Sequence, residues 1–251
     1  GMAKRIDEIK EDIKNSLSES YDIGFTYLKA SDFGSPQSRK RFILIANRIG
    51  VKSENIIQEI YHTNPDFVLG DALFGLPKLS PKTIKNATTL ENKRIGFKIS
   101  EADLTLEKTR YVVNINNDET SSYVLNHKNR YNNERDIEIF KRLPRGQNSL
   151  HASIADIMPY TSRNHIFKDK YFKLDDRKIC KTITSHMKFD CNMYIHPNQP
   201  RGLSARESAR VQTFPDNYFF RGPPNSWYSQ IGNAVPVKMA KAIAYSILSK
   251  L

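Results

Sequence analysis

The stretch "GSPQSRKRFILIAN", residues 34–47, places basic side chains directly before an apolar run. Gly34 and Pro36 predict a turn, and residues 42–46 (FILIA) are typical of a strand buried on both faces. If the extended backbone begins at Gln37, then Gln37, Arg39 and Arg41 point to the same side. One amide and two guanidiniums on one surface suit an anionic, hydrogen-bond-accepting partner. The alternative is an ordinary solvated strand end.

The charge of the chain favours an anionic partner over a solvated strand end. The 251 residues include 39 basic and 27 acidic side chains, a net charge of +12, which predicts a polyanion such as nucleic acid as partner. A basic protein without such a partner remains the alternative. No segment is apolar over the length of a membrane span, and no signal peptide is recognisable. The two cysteines, Cys180 and Cys191, form neither a disulfide framework nor a metal-binding pattern, which favours a reducing cytoplasm.

Helical patterns lie near both ends of the chain. Residues 4–18 carry an apolar stripe typical of an amphipathic helix, and residues 24–30 read as a strand. Near the C-terminus, Ser204 and Glu207 form a capping-box pattern, which predicts a helix from Ala205 that ends before Phe214. Pro236 is expected to begin the last helix, whose apolar face would hold Met239, Ile243 and Ile247, after a turn at residues 232–233. Residues 49–200 are rich in polar and turn-forming residues and predict a loop-rich region.

Three segments resemble, in order and spacing, the C-terminal motifs of the DNA (cytosine-5) methyltransferases: "DFGSPQSRKRFILIANR", "RGLSARESARVQTFPDNYFF" and "YSQIGNAVPVKMAKAI". The resemblance implies an α/β fold, a remnant of a Rossmann-like methyltransferase domain plus a loop-rich α+β target recognition domain. Residues 1–48 would be the C-terminal strands and helix of the catalytic domain, residues 49–200 the target recognition domain, and residues 201–251 a return segment with a C-terminal helix that packs on the catalytic domain.

The resemblance also implies site residues. Gln37, Arg39 and Arg41 match the family's Gln-x-Arg-x-Arg motif, whose side chains line the catalytic pocket and hold the flipped cytosine and nearby phosphates. Thr182 matches a threonine that contacts double-stranded DNA. Asn233 matches a residue that lines the S-adenosyl-L-methionine pocket. A further set matches a block that organises the recognition domain and is expected to be structural: Arg201, Arg206, Glu207 and Arg210.

The sequence also departs from the family. It contains neither the Pro-Cys-Gln segment with the nucleophilic thiolate, nor the Glu-Asn-Val motif, nor the glycine-rich cofactor motif. We therefore expect the C-terminal portion of such an enzyme, either the second chain of a split enzyme or the product of a truncated gene or fragment. This chain alone would be inactive, and its uncovered apolar faces would meet a missing N-terminal half or self-associate. The alternatives are a non-catalytic DNA-binding module that remained after the catalytic half was lost, and an enzyme that acts on RNA.

Overall fold

The computed structural model describes residues 5–101, 109–117, 119, 121–159 and 169–251. Within these ranges the chain is a mixed α/β protein, as expected, although residue 4 of the predicted first helix lies outside them. The α-helices and strands of the described residues run in this order: α1 (Ile6–Leu17), β1 (Asp22–Lys29), β2 (Lys40–Asn47), α2 (Ser53–Gln58), α3 (Leu69–Leu73), β3 (Gly96–Glu101), α4 (Arg110–Asn116), β4 (Tyr123–Lys128), α5 (Glu134–Arg142), α6 (Ala205–Val211), α7 (Pro224–Asn233) and α8 (Val237–Leu248).

The opening motif enters a β-hairpin. β1 and β2 pair antiparallel over their whole length, from Asp22 opposite Asn47 to Lys29 opposite Lys40. Met239 of α8 packs with Leu28 and Ile43 on one face of this hairpin. α1 lies over the other face, where the Lys10 ammonium is 5.9 Å from the ring centroid of Phe42. The hairpin is therefore a two-stranded layer between helices.

The prediction that residues 42–46 are buried on both faces is wrong. Of these five residues only Ile45 is buried, and its neighbours are partly exposed. α1 has no fully buried residue, so it shields its face of the hairpin only in part. A two-stranded sheet covered by short helices cannot bury both faces, because a continuous apolar run needs packed layers on each side.

The C-terminal helices form as the local signals predict. The Ser204 hydroxyl accepts from the backbone N–H of Glu207, and the Glu207 carboxylate accepts from the N–H of Ser204, so α6 begins with the expected capping box. α8 follows Pro236, and Met239 is fully buried. The turn predicted at residues 232–233 lies elsewhere: Gly232 and Asn233 are the last residues of α7.

The largest core cluster joins α6 and α7 to α3 and α4. It includes Leu69, Tyr111, Ala209 and Ile231, each at most 2% exposed. Most of the return segment thus packs against residues 67–194, and α8 packs against the hairpin and Ile60. No helix among the described residues has both the length and the apolar character that crossing a bilayer requires.

Buried ionic groups occupy the centre of this core. Arg201 donates two hydrogen bonds to Glu207, at 2.7 and 2.6 Å, and Arg210 donates two to Asp216, at 2.7 and 2.8 Å. Arg206 donates to three backbone carbonyls. Since each of these arginines is at most 1% exposed and is engaged by protein groups, the geometry agrees with the expected structural role.

Two buried histidines beside this cluster predict sensitivity to acid. Burial lowers the pKa of His127 and His196 to about 4. An unfolded histidine titrates near pH 6.5, so between about pH 6.5 and 4 the unfolded chain binds more protons than the native chain. We therefore expect the free energy of unfolding to decrease steadily as the pH falls through this window. Urea denaturation at pH 7 and pH 5 measures this decrease. His186→Asn, which removes an exposed histidine, is the control and should show the same decrease as the unsubstituted chain. Equal midpoints at the two pH values would contradict the prediction.

Candidate functional site

The motif at residues 34–41 meets three distant segments at one place, which we call the junction: residues 180–185, the end of α6 with Gln212, and the end of α7. Before β2 begins, Gln37 pairs with Cys180 in a parallel bridge. The N–H of Cys180 donates to the Pro36 carbonyl at 2.7 Å, and the N–H of Ser38 donates to the Cys180 carbonyl at 2.9 Å. The loop that enters the strand is thus fixed to residues 180–183 by backbone hydrogen bonds.

Gln37 lies inside the junction and is 0% exposed. Its amide nitrogen donates to the hydroxyl of Ser35 at 2.8 Å and to the side-chain oxygen of Gln212 at 2.9 Å. Its amide oxygen accepts from the N–H of Ile183 at 3.0 Å. Both halves of the amide are therefore used by the protein, which joins the motif to α6 and to residues 180–185.

Arg39 is also buried, at 2% exposure. Its guanidinium donates to the carbonyls of Ile183 (2.5 Å), Gly232 (3.1 Å) and Ala234 (2.9 Å). Burial, followed by repulsion from Arg41, lowers the pKa of Arg39 to about 10, so the group remains charged near neutral pH. Arg39 therefore holds the end of α7 against residues 180–185.

Arg41 is the accessible member of the predicted trio. It is half-buried, and the hydrogen bond that the structure gives its guanidinium runs to the carbonyl of Lys40, at 2.9 Å. Partial burial lowers its pKa. Because most of its donors point away from protein acceptors, Arg41 is available to an anionic ligand.

Thr182 and Asn233 are chain neighbours of the carbonyls that Arg39 binds: Thr182 precedes Ile183, and Asn233 lies between the other two. The Thr182 hydroxyl donates to the Ser38 carbonyl at 3.2 Å, and the Thr182 carbonyl accepts from the Tyr194 hydroxyl at 2.7 Å. Asn233 is exposed, and among the described residues its carboxamide has no hydrogen-bond partner. The structure thus brings all five predicted site residues to the junction, but it buries Gln37 and Arg39 and leaves Arg41 and Asn233 accessible.

The close packing of this junction depends on Gly232. A Cβ atom added there would lie 2.1 Å from the backbone nitrogen of Ser185 and 2.2 Å from the carbonyl carbon of Thr184. Backbone therefore packs against backbone between α7 and residues 184–185. The sequence predicted a turn at Gly232 and not this packing role, because no local sequence pattern indicates a contact with a segment 47 residues away.

Gln212 was also missed. Its side-chain nitrogen donates to the Ile231 carbonyl at 2.7 Å, and its oxygen accepts from Gln37. Gln212 is 0% exposed and a buried amide needs partners, but no local sequence pattern indicates that burial. Gln212 therefore links α6, α7 and the opening motif.

Neither cysteine can act as an exposed nucleophile. Cys180 and Cys191 are each 1% exposed. Burial raises the pKa of the Cys180 thiol to about 12 and raises the pKa of Cys191 as well. Because the thiolate is the reactive form, both thiols are inert in the folded chain.

We expect iodoacetamide to alkylate the native chain at least about a hundredfold more slowly than the chain in urea at pH 8, since burial removes both access and thiolate. Mass spectrometry after timed quenching measures both sites at once, and the chain has no third cysteine to confuse the count. Rapid labelling of either thiol in the native protein would contradict this assignment.

A family model and individual relatives both match this chain, and all of them are methylases or methyltransferases. Residues 2–249 match the model of the C-5 cytosine-specific DNA methylases. The putative type II methyltransferase M.OihORF3336P of Oceanobacillus iheyensis is 29% identical over 296 residues, which cover 91% of this chain and 62% of that protein. The type II methyltransferase M.Bpa9945I of Bacillus paralicheniformis is 29% identical over 259 residues, which cover 94% of this chain and 56% of that protein. This chain therefore spans 56% to 62% of the length of these two relatives.

A solved structure shares the fold. The crystal structure of a putative DNA modification methyltransferase encoded within an E. coli prophage superposes with a TM-score of 0.61 at 21% identity, covering 96% of this chain and 64% of that one. Since the family model spans nearly all of the sequence, this protein belongs to the C-5 cytosine-specific DNA methylase family.

Proposed function

We propose that this chain is the C-terminal portion or subunit of a DNA (cytosine-5) methyltransferase. It would recognise a specific duplex site and complete the pocket for the flipped cytosine, while a separate N-terminal half would supply the nucleophile. The observation that carries this proposal is the combination of a family match over residues 2–249 with two cysteines that are both buried and protonated. The family's thiolate chemistry needs an accessible cysteine, and this chain offers none.

Arg41 is the residue we assign to the extruded cytosine or an adjacent phosphate. Its guanidinium is half-buried and has one protein acceptor, whereas that of Arg39 donates to three carbonyls. A fork of free donors at the edge of a packed junction suits phosphate or base carbonyl oxygens. Gln37 and Arg39 then act indirectly, because they fix the protein backbone that carries Arg41. Thr182 contacts the DNA backbone beside them.

The cofactor would be S-adenosyl-L-methionine, which supplies the methyl group. Among the residues of this chain, Asn233 fits a contact with it, because the carboxamide is exposed and its donor and acceptor are free of described protein partners. Arg39 and Gln212 hold the carbonyls of residues 231–234 and so fix the position of this side chain. One carboxamide forms only part of a binding site, and the rest would come from the N-terminal half.

Uncovered apolar surface beside the hairpin is where the N-terminal half would dock. A cavity of about 600 Å³ lies between α8 and residues 59–63. Tyr61 and Tyr245 line it and are 76% and 59% exposed, and Leu248 on α8 is 60% exposed. Apolar side chains grouped in this way mark interaction sites in soluble proteins. Self-association through the same surface is the alternative occupant.

The experiment is transfer of tritiated methyl groups from labelled S-adenosyl-L-methionine to duplex DNA. We expect no incorporation with this chain alone, and incorporation when it is mixed with a relative's N-terminal half that contains the Pro-Cys-Gln segment. An N-terminal half whose cysteine is replaced by alanine is the matched control and should restore nothing. Methylation by this chain alone would refute the proposal, and DNA binding without methylation in any mixture would favour the non-catalytic DNA-binding module.

A further inference from the structure

A second, polar cavity of about 320 Å³ opens in residues that the proposed site does not use. Its walls are residues 82–88, 128–133 and 189–192 and the first half of α7. A cavity of this size lies at the lower end of the range for small-molecule sites. It is thus large enough for a planar ring with a polar substituent.

Two asparagine side chains in this cavity lack partners. Asn132 and Asn192 are 6% and 8% exposed, and the amide oxygen of each is buried without a hydrogen-bond partner among the described residues. Leaving a buried amide oxygen unsatisfied costs roughly 1–3 kcal/mol, so native proteins seldom keep two in one place. Both residues line the cavity, so a ligand that presents N–H groups there would supply the missing partners once each amide turns its oxygen toward it.

Basic side chains give the cavity a positive character. Lys82 and Lys128 are each 6% exposed, and their ammonium groups donate to the carbonyls of Ala87 and Thr88. Arg130 donates to the carbonyls of residues 187–189, and exposed Lys85 lies at the rim. The positive electrostatic potential of these side chains attracts an anionic group.

The carboxylates in the cavity wall are already engaged. Asp136 accepts from the hydroxyl of Tyr171 at 2.7 Å and from the side chain of Asn133 at 3.0 Å. Asp190 accepts from the N–H of Asn192 at 3.0 Å. Lys128 is itself paired with Glu91 at 3.0 Å. The other three cations, Lys82, Lys85 and Arg130, face two carboxylates, which leaves one net positive charge to attract a phosphate.

Aromatic side chains complete the lining. Phe189 and Tyr131 are 65% and 36% exposed, and the ring of Trp227 also contributes to the wall. Aromatic faces beside a cationic rim are typical of sites where unpaired bases stack, and each stacked base contributes roughly 1–3 kcal/mol.

The cavity and the junction involve the same helix, α7. Gly232, at one end of α7, packs against Ser185, and Asn225, seven residues earlier in the same helix, lines the cavity. At 1.5 Å per residue the two positions are roughly 10 Å apart along the helix. The two sites are therefore neighbours along α7.

We propose that this cavity binds one unpaired nucleotide, with its base against the amides of Asn132 and Asn192 and its phosphate toward Lys85. The proposal rests on the proposed function, because the DNA bound at the junction would supply the nucleotide. Asparagine amides pair well with the donor and acceptor edges of bases, adenine above all.

Trp227 provides the readout, since it is the chain's only tryptophan and lines the cavity. We expect each of the four deoxynucleoside monophosphates, or a subset, to change its fluorescence in a saturable way. The double variant Asn132→Ala/Asn192→Ala should bind at least about tenfold more weakly, which corresponds to the loss of about 1.4 kcal/mol of hydrogen bonding. Lys85→Ala should remove the preference for the monophosphate over the nucleoside. Because Lys85 is exposed, this second variant cannot fail by unfolding.

Lys40→Ala is the control, because this exposed residue lies outside the cavity and outside the proposed cytosine contact, and it should leave nucleotide binding unchanged. Absence of a saturable change with all four nucleotides would overturn the cavity proposal, and so would equal affinity of the double asparagine variant with an unchanged melting temperature. Neither result bears on methylation by the mixed chains. Conversely, nucleotide binding that is lost in the asparagine variants, together with mixtures that never methylate, supports the cavity and rejects the proposed function.

Discussion

Replacing Arg41 by alanine is expected to lower kcat/KM of the reconstituted methyltransferase by about a hundredfold or more, while the free energy of unfolding of this chain changes by less than about 1 kcal/mol. Arg41 is half-buried and donates to the carbonyl of its neighbour Lys40, so its removal breaks no long-range hydrogen bond among the described residues. If its free donors hold the extruded cytosine or a phosphate, the loss falls on the reaction. Methyl transfer kinetics and urea denaturation measure the two effects separately.

Arg39→Ala is the matched comparison, two residues away in the same motif. It removes the donor to three carbonyls in the junction, and we expect the free energy of unfolding to fall by about 3 kcal/mol or more. Lys40→Ala, an exposed position between them, should change neither quantity much. Equal losses of stability and activity in Arg41→Ala would show that Arg41 is structural too.

The elements that the sequence predicted well are those whose signals are local. The capping pattern at Ser204 and Glu207 placed the start of α6, and Pro236 placed the start of α8, because each residue acts within one helical turn. The strand at residues 24–30 and the one at 42–46 were also found. The burial of the second strand was not, since the apolar run Phe42–Ala46 does not say how many layers cover it.

The candidate site was predictable as a set of residues and not as an arrangement. The alternation of side chains along a strand predicted that Gln37, Arg39 and Arg41 share one surface, but no pattern in the motif indicates that protein groups occupy the first two. Gln37 meets Gln212 across 175 positions of sequence, and Arg39 meets Ala234 across 195. Contacts of that separation follow from the tertiary fold and leave no pattern in the motif itself.

The same limit applies to the cavity around Asn132 and Asn192. These residues lie 60 positions apart in a polar region where asparagine reads as an ordinary loop residue. Only the fold shows that both residues line one cavity and that the amide oxygen of each is buried without a partner among the described residues. Buried groups without partners are therefore the feature that structure adds to sequence here.

Gly232→Ala is expected to destabilise the chain by at least about 3 kcal/mol, because the new methyl group would overlap the backbone of Thr184 and Ser185. Helix propensity acts in the opposite direction: alanine stabilises a helix interior by about 1 kcal/mol relative to glycine, so any net loss must come from steric overlap. Neither backbone can move freely, since Arg39 ties the Gly232 carbonyl to that of Ile183. Urea denaturation followed by circular dichroism measures the loss.

Asn233→Ala is the control, since it adds no atom and changes an exposed side chain in the same helical turn. It should leave the urea midpoint unchanged yet weaken binding of S-adenosyl-L-methionine to the reconstituted enzyme. The pair thus separates the packing role of the end of α7 from its proposed role at the cofactor. A stable Gly232→Ala chain would mean that α7 can move away from residues 184–185 at little cost. Arg39 would then have to keep its three acceptors while the helix shifts, which the 2.5 to 3.1 Å hydrogen bonds at the junction do not allow.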